Sequence, residues 1–228
     1  MRLADVERRV AAGGLAMRGG FHPAPADAVP AGYDGRPAQT LVLVGNVGGA
    51  MWEAFAASLE LHDGAPNALD RWTRRVLDGI AGRLGATALY PFGGPPYLPF
   101  QRWAMRAEAV APSPLGILIH PDYGLWHAYR GALAFAELID LTPRDARPSP
   151  CESCREKPCL TACPVGAFSD RGYDVPACLG HIAGPAGAPC MAGSCLARRA
   201  CPVGRAFTYG PAQSAYHMQA FLRSNRRP

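Results

Sequence analysis

The first 150 residues contain no cysteine, and the whole 228-residue chain contains one lysine, Lys157. A long apolar run is also missing, because the longest stretch, around Leu41 to Trp52, is short and contains glycines. Residues 1–9 are charged and do not resemble the apolar h-region of a secretory signal. We therefore expect a soluble cytoplasmic protein without a membrane partner, and disulfides are disfavoured because they need an oxidising compartment.

All eight cysteines lie from residue 151 onward, in two groups that share a sequence repeat. The first group is Cys151-x2-Cys154-x4-Cys159-x3-Cys163-Pro164, and the second is Cys178 followed by Cys190-x4-Cys195-x5-Cys201-Pro202. The last cysteine of the first group begins the sequence CPVGAF, and that of the second begins CPVGRAF. These matches indicate an internal duplication with unequal insertions.

This arrangement resembles the two-cluster bacterial ferredoxins, whose unit is C-x2-C-x2-C-x3-C-P. Soft thiolates suit iron–sulfur clusters, and a loop of closely spaced cysteines can wrap three corners of a cubane. The resemblance implies two [4Fe–4S] clusters, with the fourth cysteine of each unit bound to the other cluster. One cluster would then use Cys151, Cys154, Cys159 and Cys201, and the other Cys163, Cys178, Cys190 and Cys195.

Three other interpretations of the cysteines stay open. Two four-cysteine zinc sites need the same number of ligands, although zinc sites are built from repeated C-x2–4-C pairs. Disulfides are the second alternative, and clusters that only stabilise a small domain are the third. With two clusters bound, the formal charge of +5 would fall to about +1, because each cluster with its thiolates carries about −2. A nucleic-acid partner is therefore not expected.

The chain divides at a proline-rich junction, with a first domain over residues 1–145 and a second over 146–228. In the first domain, hydrophobic patterns predict helices over Leu3–Leu15, Met51–Leu61 and Asn67–Leu84, and a buried strand over Thr40–Val44. Residues 116–120 and 125–135 are predicted to be two strands joined by a turn. A closing helix is predicted over 213–222. The fold class is α+β.

A segment of the first domain carries a second resemblance. Residues 115–131, LGILIHPDYGLWHAYRG, resemble a stretch of the cobalamin-processing proteins that decyanate and dealkylate cobalamins. A similar hairpin precedes the cysteines of epoxyqueuosine reductase and the reductive dehalogenases, in which a corrinoid-binding domain is followed by two clusters. The resemblance implies a nitroreductase-like α/β sandwich followed by a small ferredoxin-like dicluster domain.

The same resemblance implies a corrinoid (cobalamin) site in the first domain. Arg130 matches an arginine that helps bind the thiol substrate, and a guanidinium suits carboxylates or phosphates. The other predicted cofactor-binding residues are His120, Tyr97, Tyr123 and Trp126. A structural ion pair for Arg130, a structural hydrogen bond for His120 and core packing for the aromatic residues are the alternatives.

The sequence therefore predicts a metal-binding iron–sulfur redox protein that carries electrons through two [4Fe–4S] clusters to a corrinoid-type acceptor, a possible oxidoreductase. A redox partner protein or reductase would supply the electrons. No catalytic residue can be assigned. The alternative is a ferredoxin-type electron carrier with an appended docking domain and no substrate chemistry of its own.

Overall fold

The computed structural model describes residues 1–225, which form two compact units. Unit 1 comprises Met1–Ala109 and His127–Ala146, and unit 2 comprises Val110–Trp126 and the described residues from 147 to 225. The predicted division kept 110–126 with the first domain, whereas here this segment belongs to the unit with the cysteines. The last three residues of the predicted second domain lie outside the described residues.

Eleven α-helices and eight strands are present among the described residues. In order they are α1 (Leu3–Ala12), β1 (Ala16–Phe21), β2 (Thr40–Val47), α2 (Trp52–Ala56), α3 (Leu59–His62), α4 (Ala68–Leu84), β3 (Thr87–Leu89), α5 (Phe100–Ala107), β4 (Ala111–Pro112), β5 (Leu118–Ile119), β6 (His127–Phe135), α6 (Pro150–Ser153), α7 (Pro158–Thr161), β7 (Phe168–Ser169), β8 (Gly172–Tyr173), α8 (Val175–Ile182), α9 (Ala188–Gly193), α10 (Leu196–Ala200) and α11 (Pro211–Asn225).

Unit 1 is built on a four-stranded antiparallel sheet with the strand order β1-β2-β6-β3. The apolar run of β2 lies at its centre, and Leu41, Val42, Leu43 and Val44 are fully buried. A run that is apolar on both faces is typical of a strand covered on both sides. The antiparallel sheet with separate helices confirms the predicted α+β class.

Helix α4 packs beside strands β3 and β6 of this sheet. Its buried face includes Leu69, Trp72, Leu77 and Ile80, at the three- and four-residue steps of an amphipathic helix. The helix ends at Gly85, whose φ of +63° is a left-handed C-cap that glycine adopts without strain. The helix predicted from this pattern is confirmed.

Two other sequence predictions for this part of the chain are correct only in part. The helix predicted over 51–61 is interrupted at Ala57 and Ser58, so α2 and α3 are separate. The strands predicted over 116–120 and 125–135 are present in shorter form as β5 and β6, and the turn between them is closed by an antiparallel bridge between His120 and Gly124. Beyond that bridge the two strands do not pair with each other, because β5 pairs with β4 while β6 pairs with β2 and β3. Pairing with distant strands is set by packing that the local sequence does not carry.

Unit 2 consists of five short helices, α6 to α10, the longer helix α11 and two small antiparallel ribbons, β4–β5 and β7–β8. Its apolar core joins Leu115, Ile119, Leu125 and Phe168 to cysteine side chains. Because a unit of this size buries little apolar surface, its stability depends on this small core. In the described part of the chain, no helix has the length and apolar character needed to cross a membrane.

Candidate functional site

The eight cysteines of unit 2 surround two separate cavities, four to a cavity. The first cavity has about 320 Å³ of empty space, part of it open to solvent, and is lined by the set-1 cysteines, Cys151, Cys154, Cys159 and Cys201. The second has about 310 Å³ and is lined by the set-2 cysteines, Cys163, Cys178, Cys190 and Cys195. All eight side chains are free thiols. The cavities are similar in size, and each set takes one cysteine from the other set's stretch of sequence.

The short helices place the set-1 sulfurs. Cys151 lies in the first turn of α6, which begins at Pro150 and is capped by the Ser149 side chain, and Cys154 ends that helix. Cys159 lies in the first turn of α7, which also begins with a proline. Proline is preorganised for the first helical position, so it fixes the start of each helix beside a cysteine. Cys201 follows α10 and completes the set.

The set-2 sulfurs come from four consecutive parts of the chain. Cys163 follows α7, Cys178 lies on α8, Cys190 lies on α9, and Cys195 is the N-cap residue of α10. The Asp174 side chain accepts a hydrogen bond from the Ala177 backbone N–H at 2.9 Å and so caps the helix that carries Cys178. The long insertion before Cys190 therefore supplies one ordered sulfur to the second cavity.

The electrostatic interactions between the thiols follow the same division. Burial raises the pKa of the Cys151 and Cys159 thiols, and thiolates of set 1 raise both further. Burial also raises the pKa of Cys178 and Cys195, with further increases from thiolates of set 2. Four sulfurs gathered in this way resist ionisation together unless a positively charged group lies among them.

Backbone N–H groups are directed at several of these sulfurs. The Ala167 N–H donates to Cys163 Sγ across 3.3 Å. Backbone N–H donors also lower the pKa of Cys195, against the stronger effect of burial, and the Val203 N–H does the same at Cys201. Such donors stabilise a thiolate, and they are the outer contacts expected around an anionic sulfur centre.

The repeated CPVG sequence explains part of this geometry. Gly166 and Gly204 occupy equivalent positions three residues after Cys163 and Cys201, with φ values of +58° and +72°. A left-handed residue at this point reverses the chain, and in the first turn the following N–H then reaches the cysteine sulfur. The duplication seen in the sequence is therefore a duplicated turn.

The prediction of a metal-binding site is wrong for a metal ion. Among residues 1–225, no group of three or more His, Cys, Asp or Glu side chains could hold a metal ion. Four thiolates around zinc would each lie about 2.3 Å from one point, whereas each set here lines the wall of a cavity. The sequence-based description of the chain as a metal-binding protein is therefore corrected on this finding, and the zinc alternative with it.

In unit 1, two of the residues predicted to bind a cofactor have other surroundings. The Arg130 guanidinium forms an ion pair with Asp70 and donates from Nε to Thr73 Oγ1 at 3.2 Å. The ring of Phe92 lies 5.3 Å from the Arg130 guanidinium carbon. Tyr97 is 68% exposed. The structural ion pair considered for Arg130 is thus present.

The other three predicted cofactor residues belong to unit 2. His120 is buried, and its Nδ1 accepts hydrogen bonds from the backbone N–H groups of Asp122, at 3.0 Å, and Tyr123, at 3.3 Å. Its ring stacks on Tyr123 with a centroid separation of 4.2 Å. Trp126 is 1% exposed and forms part of the core. These contacts stabilise the loop from 120 to 126.

Sequence reasoning missed the role of Arg198. Its guanidinium carbon lies 4.4 Å from the Trp126 ring centroid and 4.6 Å from that of Tyr209, and its Nε donates to the Leu125 carbonyl at 3.1 Å. The Arg198 backbone N–H also forms a hydrogen bond with the Cys195 sulfur, which lowers the pKa of that thiol. An arginine between two aromatic rings has no signature in sequence spacing here, because Trp126 lies 72 residues before Arg198.

No protein-family model matches this chain, and no curated protein sequence matches it.

Proposed function

We propose that unit 2 binds two [4Fe–4S] clusters and that the protein transfers single electrons. The observation that carries this proposal is the division of eight free thiols into two sets of four, each lining its own solvent-open cavity. A cubane carries one thiolate on each of four iron atoms, so its ligands must surround a volume rather than a point. This requirement differs from that of the single metal ion excluded above.

The chemistry of the lining supports the same proposal. Thiolate is the ligand type that iron–sulfur clusters select. Around the thiols, the side chains of Pro114 and Ile119 line the first cavity, and those of Phe168 and Leu196 line the second. An apolar wall limits the access of water, and backbone N–H groups orient and stabilise the sulfurs. Bound clusters would supply one-electron chemistry.

Anaerobic reconstitution with iron and sulfide tests this function. We expect about eight iron and about eight sulfide per chain, with brown absorption that bleaches on addition of dithionite. The control is the same chain with Cys154 and Cys190 both changed to alanine, which removes one ligand from each set and should leave the protein colourless. A wild-type chain that stays colourless, or that takes up zinc in preference to iron, would contradict the proposal.

The electron acceptor is a separate question. The resemblance predicts a corrinoid in a nitroreductase-like unit 1, and the α+β architecture with an antiparallel sheet is compatible with that finer fold. The Arg130 side chain, however, is already engaged by Asp70 and Thr73. The contacts therefore favour the alternative of an electron carrier that serves a partner protein. The cytoplasmic location stays part of this proposal.

Hydroxocobalamin separates the two acceptors. If the carrier function is correct, the reconstituted protein leaves the hydroxocobalamin spectrum unchanged before reduction, and Arg130→Ala alters only the stability of unit 1. Binding of hydroxocobalamin that is weakened by Arg130→Ala, but not by the exposed-site control Arg9→Ala, would instead support a corrinoid-linked function.

A further inference from the structure

The second cavity contains a polar side chain that the cysteine pattern does not include. His181 lines this cavity together with the set-2 cysteines. It lies on α8 three residues after Cys178, and side chains at that spacing lie on the same face of a helix. Its Nε2 atom is buried and has no hydrogen-bond partner. A buried ring nitrogen without a partner is unfavourable, so the native state of the site must satisfy it in some other way.

The backbone around His181 holds the imidazole at the cavity wall. The His181 carbonyl accepts a hydrogen bond from the Gly184 N–H at 3.2 Å, which closes the end of α8. The following 3₁₀ turn, Pro185–Gly187, packs against this end so closely that a Cβ on Gly187 would lie 2.5 Å from the His181 carbonyl oxygen. The position of His181 is therefore set by the fold of the insertion that also supplies Cys178.

The first cavity has no equivalent of His181. Apart from its four cysteines, it is lined by proline, isoleucine and valine side chains and by Lys157, which is exposed to solvent. Each set of cysteines has one hydroxyl partner. The Ser149 hydroxyl forms a hydrogen bond with the Cys151 thiol, and the Tyr173 hydroxyl forms one with the Cys178 thiol. The two cavities are thus alike in their hydroxyl partners, but only the second cavity also contains an imidazole.

We propose that His181 donates a hydrogen bond from Nε2 to a sulfur of the cluster held by the set-2 cysteines, and that it thereby raises the reduction potential of that cluster. This inference rests on the proposed function. Reduction adds one electron and one negative charge to the cluster, so a hydrogen bond to sulfur stabilises the reduced form more than the oxidised form. His181 therefore tunes one of the two clusters and makes the two duplicated sites unequal.

An EPR-monitored redox titration tests this role on the reconstituted full-length chain, with dithionite as the reductant. His181→Leu should shift one of the two potentials to a more negative value and leave the other unchanged. His181→Gln should restore much of the lost shift, because its amide keeps an N–H donor at a similar distance from the helix. His62→Leu, the same change at a histidine in unit 1, is the matched control and should leave both potentials unchanged.

A further variant identifies the affected signal. Cys154→Ser changes a ligand of set 1 and should alter the signal that His181→Leu leaves in place. Unchanged potentials in His181→Leu, with iron and sulfide content equal to wild type, would overturn the inference alone. Loss of half of the iron in both His181 variants would also overturn it, since His181 would then hold the site together rather than set its potential. A wild-type chain without iron and sulfide would instead refute the proposed function.

Discussion

Replacing Cys163 with alanine should empty the second cavity, although Cys163 belongs to the first cysteine group of the sequence. The structure places this thiol with Cys178, Cys190 and Cys195. A model in which each group of the sequence binds its own cluster predicts the opposite, because Cys163 would then act with Cys151, Cys154 and Cys159. The two assignments differ in which pairs of cysteines share a cluster, and pairs of substitutions can therefore separate them.

The size of the effect follows from four ligands for each cluster. Cys163→Ala alone should lower the iron content from about eight to about four per chain under either assignment. Adding Cys190→Ala should cause no further loss, because both residues line the second cavity. Adding Cys159→Ala should reduce iron to about zero, because Cys159 lines the first cavity.

Iron and acid-labile sulfide, measured per folded chain after anaerobic reconstitution, provide the readout. Ser153→Ala changes an exposed residue between two set-1 cysteines and should retain the wild-type content, so it controls for general damage to the loop. The reasoning is refuted if Cys163→Ala with Cys190→Ala loses all iron while Cys163→Ala with Cys159→Ala keeps half. That result would assign ligands by order in the sequence.

Two further predictions concern unit 1. Gly45→Ala should destabilise the protein by about 1–3 kcal/mol in urea unfolding, because the new Cβ would overlap the Ala128 carbonyl oxygen. The control Gly79→Ala, where a Cβ meets nothing within 4 Å, should be neutral or stabilising. Equal changes in the free energy of unfolding for the two variants would contradict the overlap. The hydrogen bond from Arg75 lowers the pKa of Glu60 from 4.5 to about 2, so the stability advantage of wild type over Glu60→Gln should be full above about pH 5 and shrink as the pH falls towards 2. A difference in urea midpoint that stays constant between pH 6 and pH 3 would count against this ion pair.

The elements that the sequence predicted correctly carry their signal locally. Strand β2 is an uninterrupted apolar run, and α4 repeats apolar residues at three- and four-residue steps before a glycine. Strand β1 was missed because its sequence, AMRGGF, contains two glycines and a charged residue. That charged residue, Arg18, is 1% exposed and pairs with Glu108 at 2.6 Å, a contact across 90 residues that no local pattern indicates.

The candidate site shows the same limit. The count and repeat of the cysteines were visible in the sequence, and the resemblance to two-cluster ferredoxins implied the crossed sets. The roles of residues that depend on which side chains surround them in the fold could not be predicted from the sequence. Nothing in the sequence marks His181, because its role follows only from the cavity that it lines together with Cys178, three residues earlier. Arg130 had a plausible ligand role until Asp70, 60 residues away, was found beside it.

Because the two sets of cysteines cross, the two cavities must lie close together. Cys159 lines the first cavity and Cys163 lines the second, and only three residues separate them. A fully extended chain spans at most about 3.6 Å per residue, so their Cα atoms lie within about 14 Å of each other. The two sites must therefore be neighbours, whatever the conformation of the longer insertion. Since each set also needs a cysteine from the other group, neither half of the repeat can complete a four-thiolate site alone.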